Sequence, residues 1–493
     1  MSDSPTAPLP RVLVLVVAYN ARTTLGWVLD RIPAAMRRPG VEVLVIDDSS
    51  PDNTFQTGLE YVSGHRENNG MVINVLRNPE NQRYGGNQKL GYRYAIEHGF
   101  DFVALVHGDG QYAPECLPEL LAPLVVGEAD AVFGSRMMTR GGARKGGMPL
   151  YKLVGNKILT RFQNALLGSD LTEFHSGYRL YSVRALQRVP FEANTNDFHF
   201  DTEIIVQFVL AGLRIKELPI PTYYGDEECR VNGMKYAWDV CKTMLRARVH
   251  GLDLLYDRKF DVQARTYELK LGYPSSHTLA LDAAMAGGEV LNVGCGKADI
   301  SPALADRGCR VTDIACRPQH EAEFPVDVSR FDQIYLLDLV EHLTEPERFL
   351  EELRFAARRH RPEIVLTTAN VGFFITRLMM FFGQFNYGRR GILDRTHRRL
   401  FTFGSVRTLL EQSGYRIIET RGVPAPFPLA VKTGWLSHAL LRLNGALLRM
   451  CRGLFSYQIF VRAQALPSVH HLLEHTLESS DALRGQYVAV RAD

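Results

Sequence analysis

Paired cysteines are the first thing this chain lacks. Its seven, Cys116, Cys229, Cys241, Cys295, Cys309, Cys316 and Cys451, are scattered with no C-x-x-C among them. That argues against a disulfide framework or a structural zinc site and fits a reducing cytoplasm. Long hydrophobic runs are missing too: Val12 to Tyr19 is less than half of the ~20 residues a spanning helix needs. Residues 1–10 carry acid and proline where an export signal needs basic and then apolar residues, and they read as a loose tail. Nor does one sign of charge dominate. With 57 Lys+Arg against 54 Asp+Glu the net charge is +3, too small for a nucleic-acid binder. What is present is ordinary globular material, 46% hydrophobic and 23% charged, over 493 residues, a length that calls for at least two domains.

Strand-like runs alternate with amphipathic stretches from Arg11 onward: Val12 to Val17, Val41 to Ile46, Val72 to Leu76, Phe102 to Val106 and Ala131 to Phe133. This spacing predicts a mostly parallel sheet covered by helices. A second set begins at Val290 to Val293 and continues with Arg310 to Thr312, Gln333 to Leu337 and Glu363 to Thr367. Between the sets, Pro274, Gly287 and Gly288 interrupt helices and no strand pattern appears. The fold class is therefore α/β, two Rossmann-like domains in tandem. The expected boundaries are a domain at 11–250, a linker at 251–288, a domain at 289–466 and a C-terminal tail at 467–493.

Asp47 and Asp48 end an apolar strand, at the carboxyl edge where open α/β sheets bind ligands. Such a pair can accept a base N–H or ribose hydroxyls. Capping the helix that starts near Thr54 is an equal alternative. A second strand ends in His107, Asp109 and Gln111, alternate positions that can face one divalent cation; a plain polar turn is the alternative.

Val16 to Asn20, Asp47 to Ser50, Asn78 to Gly91 with Gly85-Gly86-Asn87, His107 to Gln111, Gly134 to Arg136 and Ser176 to Leu180 occur in an order that resembles inverting family 2 glycosyltransferases, especially the dolichyl-phosphate mannosyltransferase branch. The resemblance runs from about Arg11 to Lys242. It implies a GT-A fold, a nucleotide-sugar donor, Mg²⁺ or Mn²⁺, and a polyprenyl-phosphate or glycan acceptor. It also implies donor contacts at Ala18, Tyr19, Asn20, Asp47, Asp48 and Lys89, a cation loop of His107, Asp109 and Gln111, and phosphate contacts from Arg136 and Arg179. His107 stands where that family has a carboxylate, and a neutral imidazole suits Mn²⁺ better than Mg²⁺. Glu173 replaces a shorter acid. Should the acceptor be a hydroxyl, a base is required, and Asp201 and Glu203 are candidates, with helix capping an equal alternative. Tyr223 to Glu227 and Arg230 resemble a loop that closes over the acceptor or diphosphate.

In the second half, Glu289 to Lys297 is a strand running into a glycine turn, and Asp313 ends the next strand. Gly294 and Gly296 let a ligand approach the backbone, and Asp313 can accept two ribose hydroxyls. With Asp327 and the stretch Phe331 to Leu343, which includes Asp338, this resembles class I S-adenosylmethionine-dependent methyltransferases over about Glu289 to Gln464, with their mostly parallel seven-stranded sheet. The resemblance implies that Asn292, Gly294, Gly296, Asp313, Asp327 and Asp338 hold S-adenosylmethionine, the glycine loop at the methionine end and Asp327 at the adenine. Asn292 and Ala298 depart from the family's usual Asp and Gly. A nicotinamide site would need G-x-G-x-x-G, which is absent. His342 and His397 resemble branch motifs, and His397 is the candidate acceptor-site group, weighed evenly against a structural histidine.

Thr420 to His471 contains no Asp or Glu, yet carries Arg421, Lys432, Arg442, Arg449, Arg452 and Arg462 among aromatic and apolar residues. This resembles an insertion at about 425–454. It suits peripheral contact with an anionic membrane, while an ordinary helix packed on its own domain is the favoured alternative. The reading is a bifunctional transferase of surface polysaccharide or glycolipid synthesis, in the cytoplasm or at the membrane's inner face. Sugar transfer would belong to the first half and methyl transfer to the second, with no nucleic-acid partner. The rival is a glycosyltransferase whose second domain is a cofactor-binding or structural scaffold.

Overall fold

The structure is a computed structural model that describes residues 9–65, 71–223, 232–251, 256–262, 269–294, 300–316, 324–358, 360–389, 391–431 and 434–492. The chain divides into two compact units, Met1–His250 with Asp257–Ala264, and Gly251–Tyr256 with Arg265–Asp493.

The first unit holds a seven-stranded sheet of β1 (Val12–Ala18), β2 (Val41–Asp47), β3 (Val72–Arg77), β4 (Phe102–His107), β5 (Ala131–Ser135), β6 (Arg179–Ser182) and β7 (Ile215–Pro219), in the order β3-β2-β1-β4-β6-β5-β7. All neighbours are parallel except β6, which runs against β4 and β5. β1 is buried on both faces, as its unbroken Val/Leu run requires. Valines 12, 14 and 16 face one core cluster while Leu13 and Leu15 face the other. Gly91 lets the helix Arg83–Glu97 lie against β1: a Cβ there would meet Leu15 at 2.1 Å. The reading of the strands missed β6 and β7. β6 has four residues and opens on a buried arginine, and β7 ends in proline, so neither carries a plain apolar signature.

The second unit holds β8 (Glu289–Gly294), β9 (Arg310–Ala315), β10 (Gln333–Leu337), β11 (Glu363–Ala369), β12 (Tyr415–Val423) and β13 (Gln458–Ala465), in the order β12-β13-β11-β10-β8-β9. The expected seven strands are thus six among the described residues, and the sheet is mixed, because β13 lies antiparallel between β11 and β12. Part of the stretch expected as a linker is folded into this unit. Ser275 and Thr278 form a reciprocal cap on the helix Ser276–Asp282, whose Ala280 and Leu281 pack with Val290 and Tyr335. Residues expected as a tail include a helix, Val469–Ala492.

Candidate active site

The register pairs Ala18 with Asp47 and Val17 with His107, so β1, β2 and β4 end side by side. The two acids of β2 then part company. Asp47 is fully buried, accepts from Ser50, and faces Arg77 Nε at 3.6 Å with Oδ2. Asp48 Oδ1 accepts from Asn78 Nδ2 and from Gln82 N, both at 2.7 Å, and Asn81 Nδ2 donates to the Asp48 carbonyl at 2.9 Å. Asp48 Oδ2 has no partner among the described residues, so Asp48 is the better placed of the pair to meet a ligand. The capping alternative falls to Asp52, which accepts from Thr54 N at 3.0 Å. Tyr19 is 43% exposed, and Asn20, at φ 52°, donates its N–H to Ser50 Oγ at 2.9 Å.

Asp109 sits partly exposed on a turn whose Gly110 has φ 77°, and Gln111 N donates to Asp109 Oδ1 at 3.1 Å. His107, one of the expected three donors, has one ring nitrogen engaged within the fold. Its Nε2 lies 3.4 Å from the Tyr84 hydroxyl, and a Cβ on Gly177 would fall 2.7 Å from it, so the Cε1–Nε2 edge is covered. Tyr84 and Tyr112 pack edge-on against the ring. Burial lowers its pKa, against the opposing pull of Asp109 and Asp201, and the imidazole is neutral.

Arg179 cannot contact a phosphate here. It is 1% exposed, and its guanidinium donates to the carbonyls of Ser176, Asp201 and Phe174 at 2.8, 2.9 and 2.8 Å and lies over the Phe133 ring. A cation buried this deeply is tolerated because carbonyls and Asp201, at 3.6 Å, surround it. Arg136 is 9% exposed and clamps Glu173 through its backbone N–H at 2.8 Å and its guanidinium. That pairing outweighs burial and keeps the Glu173 carboxyl below its usual pKa. Lys89, expected at the donor, donates instead to the Asn194 carbonyl and to Asn196 Oδ1 at 2.8 Å. Asp201 and Glu203 are two residues apart on the helix Phe200–Leu210 and therefore cannot share a face. Asp201 accepts from Tyr84 at 2.9 Å, while Glu203 binds Lys259 at 2.8 Å and Thr195 N at 2.6 Å. Glu203 is a structural acid.

In the second unit, Asp313 Oδ1 accepts from Asn292 Nδ2 at 2.8 Å and Ser301 Oγ at 2.5 Å, leaving Oδ2 without a partner among the described residues. Asn292 thus orients the neighbouring acid, where a second carboxylate would repel it. Gly294 closes β8; Gly296 and Ala298 lie outside the described residues. Asp327 caps the turn Val328–Arg330 by accepting from Ser329 N at 3.1 Å. Asp338, expected to hold cofactor, accepts from Thr367 Oγ1 at 2.8 Å and from Gln458 Nε2 at 2.8 and 3.0 Å, so its carboxylate braces β11 and β13. His397 Nδ1 meets the Ile392 carbonyl at 3.0 Å, and its ring stands 4.8 Å from that of His342. Burial and His342 lower its pKa, which leaves Nε2 a lone pair to offer.

The family model described as glycosyl transferase family 2 matches residues 13–189. An undecaprenyl-phosphate mannosyltransferase from Micrococcus luteus is 30% identical over 211 residues, 43% of this chain and 82% of that protein. The chain belongs to glycosyl transferase family 2. A polyprenol monophosphomannose synthase from Mycolicibacterium smegmatis is 28% identical over 252 residues, 51% of this chain and 91% of that protein. Among solved structures, glucosyl-3-phosphoglycerate synthase from Mycobacterium tuberculosis aligns with a TM-score of 0.37 at 18% identity, over 48% of this chain and 78% of that one, a likeness too low to carry an argument.

Sequence reasoning missed three groups. In the family 2 unit, Tyr84 joins His107 to Asp201; only its place beside Gly85 and Gly86 marked it. In the second unit, Glu341 is 2% exposed, and burial together with nearby Asp338 pushes its pKa up to about 8. His277, 3% exposed, accepts from Lys270 N at 3.1 Å, and burial pushes its pKa down to about 4. Glu341 stands directly before His342 in the sequence, a signal that was readable; His277 had none.

Proposed function

We propose that the family 2 unit transfers a sugar from a nucleotide-sugar to a polyprenyl phosphate. The observation that carries this is the registered edge, where Tyr19, Asp48 and Asp109 follow the ends of the adjacent strands β1, β2 and β4. The names of the two relatives point to the same class of acceptor. Asp48 Oδ2 is placed to accept from the base or ribose, and Tyr19 offers a ring for stacking. A divalent cation, Mg²⁺ or Mn²⁺, fits Asp109, since such ions are commonly held by one or two carboxylates plus the substrate's own phosphates. When bound it supplies positive charge to the leaving diphosphate. Asp201 is tied to Tyr84 and Arg179, and Glu203 to Lys259, so neither is a free base. That favours an acceptor phosphate, already anionic near neutral pH, over a hydroxyl that must lose a proton. The test is incubation of the chain with nucleotide-sugars, polyprenyl phosphate and Mn²⁺ or Mg²⁺, with chromatography of the lipid. A glycosylated polyprenyl phosphate is expected; glycosylation of hydroxyl acceptors alone overturns the reading.

For the second unit we propose S-adenosylmethionine-dependent methyl transfer to a glycan or lipid-linked intermediate. Two observations support it: the parallel run β11-β10-β8-β9 has its switch point between β10 and β8, where such sheets bind ligands, and Asp313, on β9 across β8 from that point, is oriented by Asn292 with one oxygen open among the described residues. Asp313 and Gly294 fit the ribose and a close backbone approach, and the cofactor when bound supplies an electrophilic methyl group. His397 would orient or deprotonate the acceptor. Calorimetric titration with S-adenosylmethionine tests this: no heat of binding removes the assignment, and binding without a methylated product favours the scaffold.

A further inference from the structure

The helix Trp435–Met450 carries an apolar stripe on its outward side. Ser437 and Asn444, seven residues apart, are buried and Leu440, Leu441, Leu447 and Leu448 half-buried beside them, while Leu436, Leu443 and Met450, on the same spacing, are 45%, 58% and 81% exposed. A helix amphipathic toward its own domain alone would be polar along that outward stripe. Polar bonds help hold the inner side in place: Asn444 Nδ2 donates to the Phe455 carbonyl at 3.1 Å, and Ala425 N donates to Asn444 Oδ1 at 3.3 Å.

A second helix, Phe374–Phe381, repeats the pattern. Thr376 is buried and Ile375 and Met379 pack inward with Phe373 and Leu393, while Phe374, Leu378 and Phe381, spaced i, i+4, i+7, are exposed, Phe381 at 81%. The two helices are joined through the turn after the first. The Phe374 ring lies 5.9 Å from that of Phe455, and Asn370 Nδ2 donates to the carbonyls of Gly453 and Ser456 at 3.1 and 2.8 Å.

Charge identifies the occupant. Residues 371–393 and 420–471 contain no Asp or Glu, in a chain where those make up 54 of 493 residues. Arg442 and Arg449 are exposed, each one position before an outward apolar residue, Leu443 and Met450. Long basic side chains flanking an exposed apolar stripe suit a surface of anionic headgroups over hydrocarbon. Among the described residues no helix is long and apolar enough to cross a membrane, so the contact is peripheral.

We propose that this face of the second unit docks on a bilayer containing anionic phospholipid. Both apolar stripes lie at the acyl boundary, with Arg442 and Arg449 among the headgroup phosphates. The inference depends neither on methyl transfer nor on the sugar acceptor, and its readout is binding. The full chain is sedimented with vesicles of phosphatidylcholine alone or of equal parts phosphatidylcholine and phosphatidylglycerol. Pelleting with the mixed vesicles is expected, with less on pure phosphatidylcholine. Arg442→Gln and Arg449→Gln should each weaken it about fivefold. Phe381→Ser with Leu443→Ser should weaken it roughly tenfold or more. Circular dichroism checks that the variants fold; if the serine pair does not, the two exposed arginine variants decide. Wild-type chain left in the supernatant with mixed vesicles overturns the proposal. So does a dimer, seen by light scattering, that the serine pair dissociates while vesicle binding is absent, because the face would then be a protein interface.

Discussion

At the carboxyl edge of the first sheet most buried acids face a cation: Asp47 has Arg77 at 3.6 Å, Asp201 has Arg179 at 3.6 Å, and Glu173 is clamped by Arg136. At the second edge the acids are held by neutral donors. Asp313 takes Asn292 and Ser301, and Asp338 takes Thr367 and Gln458. Fixed ion pairs cancel negative charge in place, which lets an anionic diphosphate approach. Neutral donors orient a carboxylate without cancelling it, and this supports the proposal of a ligand with a positive sulfonium centre. The two edges share a sheet geometry and differ in how acid charge is managed.

Four experiments break or sharpen that contrast. Arg179→Met should have the largest effect, since it strands Asp201 and removes the donor from three buried carbonyls. A loss of about 3 to 5 kcal/mol in first-unit stability is expected by chemical denaturation, and a loss below about 1 kcal/mol would show that the pairing is not structural. Next, Asp109→Ala should lower kcat for sugar transfer by roughly 10²- to 10³-fold, the usual scale for losing a group that stabilises developing charge. Chelation of divalent cations should mimic it, and undiminished turnover in chelator would remove the cation from the site. At the second edge, Asp313→Ala should weaken S-adenosylmethionine binding by on the order of 2 to 3 kcal/mol in calorimetry, because two ligand hydroxyls lose their acceptor. Asn292→Asp should weaken it less, by turning a donor into a repelling acid.

The smallest effect concerns pH. An unfolded Glu gives up its proton near 4.5, but folded Glu341 does so only at about 8. Between those values the folded state holds the extra proton, so its contribution to stability falls as pH rises. Glu341→Gln should therefore flatten thermal stability across that window and, at pH 8, raise it by roughly 1 to 2 kcal/mol. His277 works in the opposite direction: its pKa drops from 6.5 to about 4 on folding, so its contribution is lost as pH falls through that range. A Glu341→Gln profile identical to wild type from pH 5 to 8 would show that the carboxyl ionises freely and is not buried as described.

The strands that carry the first site were legible because they are unbroken apolar runs ending in polar residues; Val12–Ala18, Val41–Asp47 and Phe102–His107 could be read directly. Side-chain direction was not. In one dimension Arg179 looks like a phosphate ligand and Lys89 like a donor contact, yet one is buried among carbonyls and the other ties its helix to Asn194 and Asn196. Glu203 sits two residues from Asp201 and points elsewhere, because a helix turns by about 200° over that step. The helix Trp435–Met450 shows the same limit. Its leucines were readable, but which of its two apolar stripes faced inward was not: Leu440, Leu441, Leu447 and Leu448 turn in beside Asn444, which bonds Phe455 and Ala425, and Leu443 turns out.

By itself the sequence determined two α/β units, the acids Asp47, Asp48, Asp109 and Asp313 at or just past strand ends, and the acid-free segment near the end, since period, composition and order along the chain are local properties. The tertiary structure decided which charged groups cancel one another and which remain open. Arg179 is tied to Asp201, Asp338 to Gln458 and Glu203 to Lys259, whereas Asp48 and Asp313 each keep an oxygen without a partner among the described residues. That division rests on distances between residues as much as 120 positions apart, as for Asp338 and Gln458, and on burial that raises the cost of any charge left unpaired.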